Sequence, residues 1–84
     1  MPRCDAMDVL KAFGAALRQA RADRGLTQEE VAHRAGIAIG YLSQLENGRR
    51  NPSLLLIAAL CGALDIQISD VIKDVVIERR SAKS

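Results

Sequence analysis

The sequence predicts an all-α domain, compact and built from five short helices. Three observations carry that expectation. Apolar residues recur at spacings of three and four along successive stretches of the chain. Glycine, proline and capping residues interrupt the pattern at Gly25, Gly36, Gly48, Pro52 and Asp65. The stretch 27–50, TQEEVAHRAGIAIGYLSQLENGRR, divides into two short helices around a tight turn.

Residues 1–7 are expected to form a flexible extension, with Met7 as an alternative start. Asp8 is placed to cap the first helix, which runs to about Arg24. Its stripe is Val9, Leu10, Phe13, Leu17 and Ala20, with Lys11, Arg18 and Asp23 towards solvent. Gly25 ends it, and Leu26 tucks the connection inward. Thr27 starts the second helix, and Glu30 completes a capping box with it. Val31 and Ala35 lie one turn apart, with Ala32 beside Val31. Gly36 stops the helix by taking a left-handed conformation at no steric cost. Ile37 restarts the apolar pattern. The third helix turns Leu42 and Leu45 inward and leaves Ile39, Gly40, Ser43, Gln44 and Asn47 on other faces. Gly48 closes it, and Arg49 and Arg50 follow.

Asn51-Pro52-Ser53 leads into a fourth helix capped by Ser53. Its sequence, LLLIAALCGAL, is apolar nearly all round, which a central core helix or contact of part of it with another subunit would explain, and both are expected to apply. Gly62 costs helix propensity of about 1 kcal/mol and is expected to allow close packing. Asp65 marks a break. A last helix begins near Ile68 or Ser69 and reaches about Arg80. Ile68, Val71, Ile72, Val75 and Val76 form its stripe, a candidate dimer interface; a helix folded wholly onto its own core is the other reading. The domain is thus expected over 8–80, with a disordered tail at 81–84.

Helices that cross steeply need small residues where they meet. Ala32 and Gly36 are small and share one face of the second helix. The third helix would then stand clear of the body, at a size suited to a DNA major groove about 12 Å wide. The same pattern also suits two core helices with no DNA role.

Composition sets limits. Eighty-four residues make one domain, 49% apolar, with Phe13 and Tyr41 as its aromatics. Twelve basic and ten acidic residues give a net charge of +2, too mild to argue for nucleic acid alone. Their distribution says more: Arg18, Arg21, Arg24, Arg34, Arg49 and Arg50 lie in or beside the central motif, and Asp65, Asp70, Asp74 and Glu78 beyond it. Cys4 and Cys61 are too few and too separated for a metal cluster, and His33, the single histidine, has no ligand-spaced partner. His33 reads as a surface or boundary side chain or a phosphate contact. With no convergent acid–base pair, an enzyme is excluded. No membrane-length apolar run and no signal-peptide pattern occur, so the chain is expected in the cytoplasm. No cofactor, metal or small-molecule ligand is expected.

Residues 18–53 resemble the Cro/CI-type helix-turn-helix family of phage repressors, also called XRE-type regulators. The matching residues are Arg18, Arg21, Gly25-Leu26-Thr27-Gln28-Glu29-Glu30, Ala32, Ala35-Gly36, Tyr41-Leu42-Ser43-Gln44-Leu45-Glu46, Gly48 and Asn51-Pro52-Ser53. The weaker pattern ALDIQISDVI, residues 63–72, looks like that family's link between its fourth and fifth helices. The resemblance covers about 8–80 and implies a compact five-helix Cro/CI-repressor-like fold, commonly dimeric on double-stranded DNA.

By that resemblance, Gln28 holds a phosphate at the start of the second helix, and Asn47, Arg49 and Arg50 match a phosphate-contacting segment. Tyr41 is placed to pack, to meet phosphate or to read a base. Arg21 and Glu46 match a structural ion pair tying the first helix to the end of the third. Base reading falls to Gln44, whose amide can pair with adenine N6 and N7, to Ser43, and to Ile39 against thymine methyl groups. The chain departs from the family at Ala38, which forfeits a capping hydroxyl, and at Gly40, which has no side chain to read with. Part of the specificity is therefore expected from DNA shape and half-site spacing. The implied function is a homodimeric, autoregulatory transcriptional regulator. Restriction–modification controller proteins and small phage or plasmid repressors both fit; an antitoxin or protein-interaction module is the alternative.

Overall fold

The computed structural model describes residues 6–73, and every regular element among them is helical. The order is α1 (Ala6–Asp23), α2 (Gln28–Ala35), α3 (Ile39–Glu46) and α4 (Leu54–Leu64), with a fifth helix, α5, described over 68–73. The five-helix expectation holds. α1 begins at Ala6, ahead of the expected cap, so Asp8 lies inside the first turn, where its carboxylate favours the helix dipole. Residues 6 and 7 are therefore helix and not extension. Cys4, Val75, Val76 and the expected tail lie outside the described residues.

The helix ends follow from single residues. Thr27 Oγ1 accepts from the Glu30 backbone N–H at 3.0 Å, and Glu30 returns the bond to the Thr27 N–H at 2.9 Å. The bond from the Thr27 backbone N–H, with the Thr27 side chain beside it, lowers the Glu30 carboxyl from its ordinary value. Gly36 stops α2 at φ 73°. A Cβ there would meet nothing within 4 Å, so Gly36 serves the left-handed turn and not the helix crossing expected of it. Ser53 Oγ accepts from Leu56 N–H at 3.1 Å and opens α4. Asp65 closes α4 at φ 55°, one of the few non-glycine types that enters this region readily.

The core draws on every element: Phe13 and Leu17, Val31 and Ala32, Leu42 and Leu45, Leu60, Cys61 and Leu64, and Val71. Each fully buried leucine or valine contributes roughly 1.5–3 kcal/mol relative to exposure. Burial pushes the Cys61 thiol up, keeping it protonated as a core side chain.

α2 packs on both α3 and α4, and α1 packs on α3. α1 approaches α3 closely at Gly14, where an added Cβ would stand 2.5 Å from the Leu45 carbonyl oxygen and 2.6 Å from that of Glu46. Gly62, expected to pack closely, is exposed with nothing near its Cβ position.

α4 is the core helix on one face only. Leu54 and Leu55 remain 72% and 84% exposed. In α5, Val71 turns into the core at 3% exposure, while Ile68 and Ile72 stay outside. Val71 is thus corrected from a dimer-interface residue to a core residue of its own chain. Residues 68 and 72 are one turn apart, and residue 71 borders them on the edge of the stripe that meets the core.

Candidate nucleic-acid interface

α3 begins without support. Ala38 has the extended backbone of an N-cap, but no side-chain bond closes the helix start. Ile39 is 49% exposed, Gly40 is exposed, and a Cβ at Gly40 would meet nothing within 4 Å. Leu42 and Leu45 are fully buried, which leaves Ser43 and Gln44 half-buried along the outer edge. Tyr41 packs against the core with its ring partly covered.

The other end of α3 is anchored through Glu46, a carboxylate 4% exposed. Arg21 donates to it twice, from Nε at 2.7 Å and Nη2 at 3.1 Å, and donates from Nη1 to the Leu26 carbonyl at 3.1 Å. Gln28 Nε2 donates to Glu46 Oε1 at 3.0 Å. Arg18 Nε lies 3.6 Å from the same oxygen. Burial raises the Glu46 pKa, but the bonds from Arg21 and Gln28 and the charges of Arg21 and Arg18 outweigh it, so the carboxyl sits below its ordinary value. The inferred pair Arg21–Glu46 is present, bidentate and part-buried.

Three residues assigned to phosphate, Gln28, Asn47 and Arg50, carry side-chain bonds to protein here. Gln28 bonds Glu46, although its amide has a second N–H to offer. Asn47 Oδ1 accepts from Arg18 Nη2 at 3.0 Å, and Asn47 Nδ2 donates to the Ser43 carbonyl at 2.9 Å. Arg49 and Arg50 are exposed, and the Arg49 backbone N–H closes α3 on the Gln44 carbonyl at 2.9 Å. Arg50 folds back over the helix: its Nε donates to Gln44 Oε1 at 2.7 Å, and its guanidinium lies 5.6 Å from the Tyr41 ring centroid.

Sequence reasoning placed Arg18 towards solvent, where its side chain is indeed 54% exposed, but gave it no part in the anchor, and assigned Gly14 no role. Both belong to the site. Gly14, Arg18 and Arg21 sit at i, i+4 and i+7, a single stripe of α1, and that spacing was the available signal. The stripe fixes the end of α3 by close approach, by charge and by hydrogen bonding in turn. His33 is exposed on α2. Among the described residues, no group of three histidine, cysteine or acidic side chains is placed to hold a metal, and no helix is long and apolar enough to cross a membrane.

Comparison with known proteins places the fold in a family. The helix-turn-helix family pattern matches residues 17–71. The chain is 42% identical over 66 residues to the transcriptional regulator ClgR of Mycobacterium tuberculosis, a match spanning 79% of this chain and 59% of that protein. The crystal structure of the clp gene regulator ClgR from Corynebacterium glutamicum superposes with a TM-score of 0.85 at 39% identity, covering 89% of this chain and 80% of that one. The restriction–modification controller protein C.AhdI from Aeromonas hydrophila gives a TM-score of 0.72 at 41% identity, covering 76% and 96%. The chain belongs to the XRE-type helix-turn-helix family, to which transcriptional regulators such as ClgR belong.

Proposed function

We propose that this chain is a sequence-specific transcriptional regulator that binds an operator of inverted half-sites as a homodimer and controls its own expression. The observation that carries the reading is the pose of α3. Its C-terminal end is locked to α1 and α2 through Glu46, and its outer edge presents Ile39, Ser43 and Gln44. A helix held at one end and open along one edge can enter a major groove in a fixed register. Ser43, Gln44 and Ile39 read bases in this reading. Gln28, Arg49 and Arg50, with Tyr41 and Asn47, face phosphate. Arg18, 3.6 Å from Glu46, and the exposed Arg49 and Arg50 that follow α3 supply positive charge suited to the backbone. Ile68 and Ile72, with Val75 and Val76 of the same sequence stripe, meet the second copy. Controller proteins of restriction–modification systems and small phage or plasmid repressors are the two fitting roles.

Selection from a random DNA pool near physiological salt tests this, with sedimentation of the protein alone. A motif of two inverted half-sites about one helical turn apart (roughly 34 Å) and a dimer mass are expected. The apolar outer face of α4, with Leu54 72% and Leu55 84% exposed, supports a second reading as a module that grips another protein. A folded monomer and an unenriched pool would favour that one.

A further inference from the structure

Arg50 does more than supply charge. Arginine has no acceptor, so the group facing its Nε–H must be the oxygen of the Gln44 amide, which fixes which way that amide is turned. The bond is 2.7 Å, short for a neutral acceptor, and the same guanidinium is steadied over Tyr41 at 5.6 Å. Gln44 is thereby held with one lone pair of its oxygen occupied and that oxygen turned towards Arg50, and with its Nε2 donors left to offer. Adenine in the major groove asks a glutamine for one donor and one acceptor, to N7 and N6. Guanine offers two acceptors, N7 and O6. An amide presented as a donor matches guanine.

We propose that Arg50 is a specificity-determining positioning residue, which turns the Gln44 amide so that its donors lead and so favours guanine over adenine at the base pair that Gln44 reaches. This rests on the operator-binding reading above and changes the base expected from glutamine alone. The terminal nitrogens of Arg50 still serve a phosphate, so the residue couples backbone contact to base choice. Tyr41 belongs to the same unit, as the platform on which the guanidinium rests.

The test is selection from a random DNA pool with wild type, Gln44→Ala, Arg50→Ala and Arg50→Lys, each first shown to melt like wild type. Gln44→Ala identifies the position it reads by relaxing it. Guanine is expected there in wild type, with a preference over adenine of about tenfold, the scale of a specific base contact. Arg50→Ala should move that one position towards adenine, beyond any general loss of affinity. Arg50→Lys, which keeps the charge but not the planar Nε donor, should shift the same position while binding more tightly than Arg50→Ala. Adenine in the wild-type motif overturns the proposal. So does a uniform loss in both Arg50 variants with guanine retained, which would leave Arg50 a phosphate contact only. A Gln44→Ala motif unchanged at every position also overturns it, while leaving operator binding intact. An unenriched wild-type pool instead removes the operator-binding reading itself.

Discussion

The two ends of α3 are built on opposite plans. At the C-terminal end, Glu46 is buried and bonded by Arg21 and Gln28, Asn47 is held by Arg18, and Gly14 lets α1 approach the last carbonyls. At the N-terminal end, Ala38 makes no side-chain cap, Ile39 is half exposed and Gly40 faces open space. α2 shows that the chain can cap a helix fully, through Thr27 and Glu30. The contrast separates two jobs along one short helix. One end sets the position of the helix on the body, and the other is free to vary without disturbing the core.

The largest effect should come from breaking the anchor. Arg21→Ala leaves the Glu46 carboxylate buried without its main partner, at a cost of about 3–5 kcal/mol. Urea denaturation should show this loss, and a change under about 1 kcal/mol would mean that Gln28 and Arg18 suffice. The anchor also predicts a pH dependence. Glu46 is lowered in the folded state, so its stabilisation is fully present above the ordinary carboxylate range and is lost as pH falls through the folded pKa. Acidification should therefore destabilise the wild type more steeply than Glu46→Gln. Parallel slopes would mean that other carboxylates dominate.

Gly14→Ala should come next. A Cβ would sit 2.5 Å and 2.6 Å from two backbone carbonyl oxygens, which cannot swing aside as a side chain can. Overpacking of this kind costs about 1–3 kcal/mol, set against roughly 1 kcal/mol of helix propensity gained. A net destabilisation in a thermal or urea melt is expected. A stabilised Gly14→Ala protein would show that α1 and α3 part easily and that Glu46 alone fixes the crossing.

Much of this was legible in the chain. Thr27 with Glu30, Gly36, Ser53 and Asp65 announce their helix ends because a cap depends on neighbours a few residues away. Leu42 and Leu45 announce their burial through spacing. The Arg21–Glu46 pair came from family likeness. Gly14 and Gly62 look alike in the sequence, each a glycine inside an apolar helix; one stands against backbone from another element and one faces open space. That difference is tertiary, and no local pattern encodes it. Val71 reads as part of one stripe with Ile68 and Ile72, yet only the placement of α5 against the core decides which edge is covered. The Arg50–Gln44 bond was hidden for the same reason, since it requires the chain after Gly48 to fold back over α3.

The open end can be sharpened without touching the anchor. Ala38 already has the extended backbone of an N-cap, φ −72° and ψ 145°, so Ala38→Ser needs only its hydroxyl to meet a free N–H of the first turn. A gain of about 1 kcal/mol is expected in the same melts. No gain would place the free N–H groups out of reach of a side chain at position 38.

The smallest expected effect isolates what the bare backbone at Gly40 is for. Replacing glycine by alanine inside a helix stabilises by roughly 0.5–1 kcal/mol when the new methyl has room. At Gly40 it has room, since nothing lies within 4 Å of the Cβ position. Gly40→Ala should therefore stabilise the free protein by that amount and leave the selected DNA motif unchanged, with affinity within about twofold of wild type; a change that small is near 0.4 kcal/mol. The free protein cannot be the source of a penalty, so a larger loss of affinity would have to arise on DNA. It would mean that the DNA surface packs directly against this backbone and that the missing side chain is itself part of the fit. Stability and affinity moving apart in this one variant would turn the open end of α3 from an unsupported segment into a contact surface, and unchanged affinity would leave reading to the half that carries Ser43 and Gln44.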